Sequence, residues 1–211
     1  KNGGALISEG CPGYFDETFH AGATQPWRGL DALFGAEEEY SEFYPDRAFD
    51  LPLTVGGYQL RGGFYVAMYR PTTGTVSGRY PDGRVAAVDN AFGKGKTRLI
   101  GTVPSYAYHR HRDAAGKAFF ASLLPWAGLE QHVRCSDPTL VARLHAGEGG
   151  VYLWVVNPGH SDVSAALSLS SAWGPFRSGH LMWGEHAPVV AGRDVSVTVE
   201  QRNAAIVRLD R

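Results

Sequence analysis

The spacing of apolar residues along this chain changes character once, near residue 128. Before that point short apolar runs mix with two helical patterns; after it the runs are strand-like throughout. Ala5 to Ser8 reads as a short buried strand. Gly29-Leu30-Asp31-Ala32-Leu33-Phe34-Gly35 reads as a short helix capped by Asp31 and stopped by Gly35. From Leu51 to Thr102 the pattern turns to strands, over Val55 to Leu60, Gly63 to Tyr69 and Thr75 to Arg79. Asp82-Gly83 is a hairpin signal that returns the chain into Val85 to Val88. Lys94-Gly95-Lys96 turns it again into a strand over Thr97 to Val103. Ala114 to Leu124 is the best helix, with Phe119, Phe120, Leu123 and Leu124 on one face and Pro125 as its end. This mixture points to an α/β region over 1–128.

The remainder reads differently. Thr139 to His145 alternates, and Val151-Tyr152-Leu153-Trp154-Val155-Val156-Asn157 is a strong buried strand in which Trp154 is expected in the core. Val163 to Leu169, His180 to Trp183, Val195 to Val199 and Ala204 to Leu209 follow, with Gly, Pro and Ser between them. Six or seven short strands at regular spacing predict a small antiparallel β-sandwich over 129–211. At the other end, Lys1 to Gly4 carries the signature of a helix stop, which places a helix upstream. The chain is therefore expected to be the C-terminal piece of a larger protein.

Composition narrows the function classes. A 44% hydrophobic, 19% charged chain with 27 Gly, 12 Pro and 12% aromatics is globular and turn-rich. The net charge of −1 leaves no electrostatic footprint for nucleic acid, and no apolar run approaches a membrane span. Cys11 and Cys135 fit neither a disulfide framework nor a metal site, so a cytoplasmic setting is expected.

Several residues invite chemistry. Gly10-Cys11-Pro12-Gly13 follows a strand and resembles a nucleophile elbow, but Glu9 stands where such a pattern has glycine. Pro12 also removes the N–H that would serve an oxyanion hole. Gly93-Lys94-Gly95-Lys96-Thr97 resembles the end of a phosphate loop, yet Asn90 stands at the required glycine and a strand follows, so a tight turn is expected. His109 and His111 could share one face of an extended segment, but Arg110 and Arg112 interleave and disfavour a cation. No metal or cofactor is expected. Glu37, Glu38, Glu39 and Glu42 form an acidic cluster, read as a solvated face rather than a glycosidase carboxylate pair. Glu9 is expected to be buried, with Arg28 or Arg47 as its partner. Trp126 is expected to pack after the helix end, and Trp27 to pack locally or to lie at an interface. Trp173 and Trp183 are expected at the sandwich edges, where tryptophans can stack on sugars.

Read in order, four segments carry a family resemblance. They are Gly3-Gly4-Ala5-Leu6-Ile7-Ser8-Glu9-Gly10-Cys11-Pro12-Gly13-Tyr14-Phe15, Gly29 to Glu38, Gly83 to Val88 with Phe92 to Lys96, and Tyr152-Leu153-Trp154-Val155-Val156-Asn157-Pro158. Together they are similar to the C-terminal part of family-42 glycoside hydrolases, the β-galactosidases. That resemblance implies a catalytic TIM barrel upstream, then an amidotransferase-like (flavodoxin-like) α/β domain that builds a homotrimer, then a terminal β-sandwich. On this reading, 1–128 is the second half of the trimerisation domain and 129–211 the sandwich. Both catalytic glutamates of the family lie in the barrel, so no catalytic residue is assigned to this chain. Its expected partners are other copies of itself and the barrel, with β-galactosides as substrate of the parent enzyme in carbohydrate metabolism. Tyr14, Phe15, Trp27 and Phe34 are expected as exposed aromatics of the trimer contact. Two rival readings are a carbohydrate-binding module using Trp173 and Trp183, and a free-standing hydrolase using Cys11.

Overall fold

The computed structural model describes residues 2–211. Lys1, and with it the start of the expected helix stop, lies outside them. The chain divides into two compact units, Lys1–Gly128 and Leu129–Arg211. Both are dominated by strands.

In order, the first unit comprises β1 (Ala5–Glu9), α1 (Leu30–Phe34), β2 (Ala36–Phe43), β3 (Leu51–Val55), β4 (Tyr58–Gly62), β5 (Tyr65–Pro71), β6 (Thr75–Arg79), β7 (Val85–Phe92), β8 (Gly95–Ile100), α2 (Pro104–His111) and α3 (Ala114–Ala127). Six strands form one sheet in the order β1-β8-β7-β6-β3-β4, and β2 pairs with β5 in a second. Among the described residues of this unit only β1 and β8 run parallel; the other pairings are antiparallel. This half is a β-rich unit carrying three helices, in which the apolar runs are joined mostly by tight reversals rather than crossover helices.

The β5 strand explains how the unit is cored. All of Tyr65–Tyr69 is buried, so the two-residue period of the strand feeds two clusters. Val66 and Met68 pack with Leu53, Val55, Leu60, Ile100 and Phe119. Tyr65, Ala67 and Tyr69 pack with Phe34, Ala36, Val88 and Leu99. Tyr80 ties the strands together, its one buried hydroxyl proton shared between Ala67 O at 3.0 Å and Gly101 O at 2.9 Å.

Local chemistry revises several sequence expectations. The stretch Val55 to Leu60 is a hairpin rather than one strand, because Gly56 and Gly57 both take positive φ (57° and 86°) and reverse the chain between Val55 and Tyr58. The α1 helix is stopped by Gly35 in the left-handed region, as expected, but Asp31 lies inside its first turn and Gly29 occupies the cap position. The α2 helix was missed, since Val103 read as strand; Pro104 in its first turn pre-sets the helical φ. Asp113 caps α3 through a 2.6 Å bond from Gly116 N. Pro125 does not end that helix: it lies in the last turn, and Gly128 closes it with φ 75°.

The second unit holds β9 (Val133–Cys135), β10 (Val141–Gly147), β11 (Gly150–Asn157), β12 (Val163–Leu169), β13 (Ser178–Trp183), β14 (Val189–Ala191), β15 (Asp194–Val199) and β16 (Asn203–Asp210). Two four-stranded antiparallel sheets, β10-β11-β16-β13 and β14-β15-β12-β9, share one core. Leu153, Val155, Leu167, Val195, Val199 and Val207 are at its centre. Two edge strands, β9 and β14, are only three residues long and left no periodic signal. Trp154 is not in the core: it is 41% exposed. In β11 Leu153 and Val155 take the inner face, and the alternation leaves Trp154 outside.

Candidate functional site

The most organised side-chain cluster outside the cores is built around Glu38. The sequence places it in a run of acids; the fold places it on β2, between the loop 10–29 and β5. Gln25 fastens that loop: its Nε2 donates to Tyr14 O at 3.3 Å and Gly22 O at 3.2 Å, while Glu38 N donates to Gln25 O at 2.7 Å. These bonds bring Tyr14 over β2. Its hydroxyl donates to Glu38 Oε1 at 2.5 Å and lies 2.8 Å from Ser41 Oγ. From β5, the Tyr65 hydroxyl donates to Glu38 Oε2 at 2.9 Å. One carboxylate thus clamps two tyrosines from separate segments.

Burial, followed by interactions with this carboxylate, raises the Tyr14 phenol above its ordinary range. Burial also raises Tyr65, and the Glu38 charge adds to it. Both therefore stay protonated and serve as donors that hold the Glu38 carboxylate between two segments. Aromatic rings flank it. Phe15 packs on Tyr14 with centroids 5.7 Å apart, and Phe43 on Tyr65 at 4.9 Å. Phe15 is 57% and Phe43 66% exposed, which gives this side an aromatic surface.

Of the four aromatics expected at a contact surface, Phe15 is exposed, and Tyr14 and Trp27 are half-buried. Trp27 lies flat on Gly22, where a Cβ would come within 2.3 Å of its ring, and Arg28 caps it at 5.5 Å. Phe34 is corrected: at 1% exposure it is a core residue under α1, because Gly35 turns the chain immediately after it. Phe43, not anticipated from the sequence, is more exposed than any of the four.

The remaining acids of the run are also paired. Glu37 accepts from Arg70, Glu39 lies 3.7 Å from Arg70, and Glu42 accepts from Tyr40 at 2.7 Å. Glu39 and Glu42 are exposed, so the solvated-face reading holds for them, and the run lies on a strand with partners at the surface. Glu9 is half-buried rather than buried, and its partner is Ser105 at the start of α2, whose N donates at 3.1 Å and whose Oγ also donates. Arg28 instead pairs with Glu17, at 2.9 Å. Burial raises the Glu9 carboxyl above its ordinary range, and the Ser105 bonds oppose that.

The other candidates fall into place. Cys11 packs beside the Tyr65–Tyr69 cluster, and burial and then the Glu38 charge raise its thiol, the reverse of what a nucleophile needs. The glycine-lysine stretch is the reversal between β7 and β8, with Phe92 opposite Gly95. His109 and His111 lie on α2 rather than an extended segment, and two residues apart on a helix do not share a face. His111 Nε2 instead lies 2.9 Å from Asp50. Trp126 lies within α3, with the Lys96 ammonium 5.1 Å and the Arg98 guanidinium 4.8 Å from its ring. Trp173 packs against the sandwich core and His132. Trp183 is 60% exposed, and its Nε1 donates to Asn203 Oδ1 at 3.2 Å. Among the described residues, no group of three or more His, Cys, Asp or Glu is placed to hold a metal ion, and no helix is long and apolar enough to cross a membrane.

No protein-family model matches the sequence. No curated protein matches it either. Solved structures do match its fold. A catalytic mutant of Gan42B, a GH42 β-galactosidase from G. stearothermophilus, superposes with a TM-score of 0.72 at 18% identity, covering 99% of this chain and 28% of that one. The β-galactosidase from Bacillus circulans sp. alkalophilus gives 0.75 at 15% identity, covering 98% and 29%. That of the Antarctic haloarchaeon Halorubrum lacusprofundi gives 0.62 at 19%, covering 99% and 28%. At these identities the likeness is one of fold, and it takes in both units of this chain. The chain spans less than a third of the length of each of these proteins.

Proposed function

We propose that this chain is the non-catalytic C-terminal region of a β-galactosidase and that its role is assembly. The observation that carries this reading is the asymmetry of the match: nearly all of this chain is covered, by less than a third of each β-galactosidase. The parent enzyme would hydrolyse terminal β-galactosides with retention, using two carboxylates of an upstream barrel. The tyrosine-locked Glu38 and the paired acids beside it offer no such couple. On this reading the first unit is the second half of an amidotransferase-like domain. The parallel pairing of β1 at one edge of the sheet is the arrangement a continuing α/β sheet presents. The second unit is the terminal sandwich, the assembly is a cytoplasmic homotrimer, and the contact surface is the aromatic side around Tyr14, Phe15 and Trp27, extended by Phe43.

The test has two parts. The isolated chain should leave a chromogenic β-galactoside intact. In the parent enzyme, Phe15→Ala with Phe43→Ala should shift the native mass from trimer toward monomer. Hydrolysis by the isolated chain, or an unchanged native mass, would overturn the corresponding half of the proposal.

A further inference from the structure

The sandwich has one outer face whose composition the assembly reading does not use. On the sheet β10-β11-β16-β13, the pairing aligns Arg143 with Trp154, Trp154 with Ile206, and Ile206 with Trp183. A bulge between Leu181 and Trp183 sets Met182 and Trp183 together opposite Ile206. Two exposed indoles therefore flank one aliphatic side chain, about 10 Å apart across two strand spacings.

The indoles are held. Trp183 is anchored by Asn203, which in turn donates to Glu200 at 3.2 Å, and Glu200 lies 3.2 Å from His186. Trp154 meets the His145 ring nearly perpendicular, centroids 6.0 Å apart. Two residues along the strands runs a polar row in register: His145, Tyr152, Arg208 and His180. Asp210, at the end of this face, is taken by Arg208 at 3.2 Å. Arg143 bonds only its neighbour's carbonyl, Ala142 O, at 2.8 Å, and has no carboxylate partner among the described residues.

A pyranose ring presents C–H groups on its faces and hydroxyls around its rim. A fixed aromatic row beside a row of donors matches that division. The unneutralised cation at the end of the aromatic row complements an anion. We propose that this face is a binding platform for an acidic oligosaccharide: pyranose rings stack on Trp154 and Trp183, the polar row bonds their hydroxyls, and Arg143 takes a uronate carboxylate. The proposal is independent of the assembly reading and stands or falls without it.

The test is calorimetric titration of the full chain with a galacturonate oligosaccharide and, separately, a neutral galactan oligosaccharide. The acidic ligand is expected to bind more tightly, with an affinity that falls as salt rises. Trp154→Ala and Trp183→Ala are each expected to weaken it about tenfold. The Phe substitutions should restore most of the loss, and Arg143→Ala should abolish the preference for the acid. Thermal melts check that the variants fold. Absence of binding by both saccharides, equal binding of both, or an affinity unmoved by Trp183→Ala would overturn the proposal. So would self-association of the chain that Trp183→Ala abolishes, which would make the face a contact between copies.

Discussion

Arg98 and Asp89 face each other across β8 and β7 and are joined by two hydrogen bonds, Arg98 Nε to Asp89 Oδ1 at 2.8 Å and Nη2 to Oδ2 at 2.6 Å. The Arg98 side chain is almost wholly buried while Asp89 keeps partial access to water. Removing the acid leaves a guanidinium under Trp126 with no counter-charge. Asp89→Ala is expected to cost about 3 kcal/mol, the bottom of the range for breaking a buried pair, because Asp89 is partly solvated. Urea unfolding of the chain measures it, and a loss below about 0.5 kcal/mol would show the pair to be of surface type.

The Glu38 clamp makes a second prediction. Glu38→Ala removes the shared acceptor of Tyr14 and Tyr65 and should cost about 1–3 kcal/mol for the stranded hydroxyls. Amide exchange should rise over residues 14–27, the loop Tyr14 anchors. The carboxylate also raises both phenols, so tyrosinate formation in the variant should begin at lower pH. Unchanged exchange in the loop would mean Gln25 alone holds it.

The half-buried Glu9 gives a pH dependence of defined sign. Its folded pKa lies above the ordinary value, so between the two the folded state binds more proton than the unfolded one. Stability from this group is therefore full at acid pH and declines as pH rises through that window. Glu9→Gln should flatten the decline, with its melting temperature gaining on the parent chain as pH rises from 4 to 7. A gain in the opposite direction would show that the Ser105 bonds outweigh burial.

Cys11 should alkylate slowly at neutral pH in the folded chain and much faster once urea has unfolded it, because burial and the Glu38 charge both hold the thiol protonated. A folded-state rate above that of the unfolded chain would contradict this and revive a nucleophilic role.

Gly35 is expected to resist substitution. Its φ is 66°, and an added Cβ would lie 2.5 Å from Gly74 N and 2.6 Å from Asn90 Cγ. Gly35→Ala should cost about 2 kcal/mol or more, well beyond the ~1 kcal/mol of a left-handed residue with open space around it. Gly29→Ala, also at positive φ but with nothing within 4 Å, is the control.

The sandwich was legible because most of its long strands, β11 excepted, have one wet face whose alternation survives in the sequence. Its short edges, Val133–Cys135 and Val189–Ala191, were not, since three residues carry no period. In the first unit β5 is buried on both faces, so it showed as an apolar run without revealing its two cores. The Glu38 cluster was hidden for a related reason. Tyr14, Glu38 and Tyr65 are separated by 24 and 27 residues, and three adjacent acids look like a solvated stretch until a strand alternates them. Trp154 was misplaced because an unbroken apolar run conceals which side chains face outward.

The bulge in β13 has a consequence for how this surface can change over time. Because Met182 and Trp183 share a single partner, the strand carries one more outward side chain than its neighbour can match, while Leu181 keeps its place opposite Val207 in the interior. A one-residue insertion or loss at this point alters the decoration of the sheet without sliding the inward-facing residues out of register. The position acts as a tolerance joint, where the sandwich can acquire or shed a surface group while its packing stays as it is.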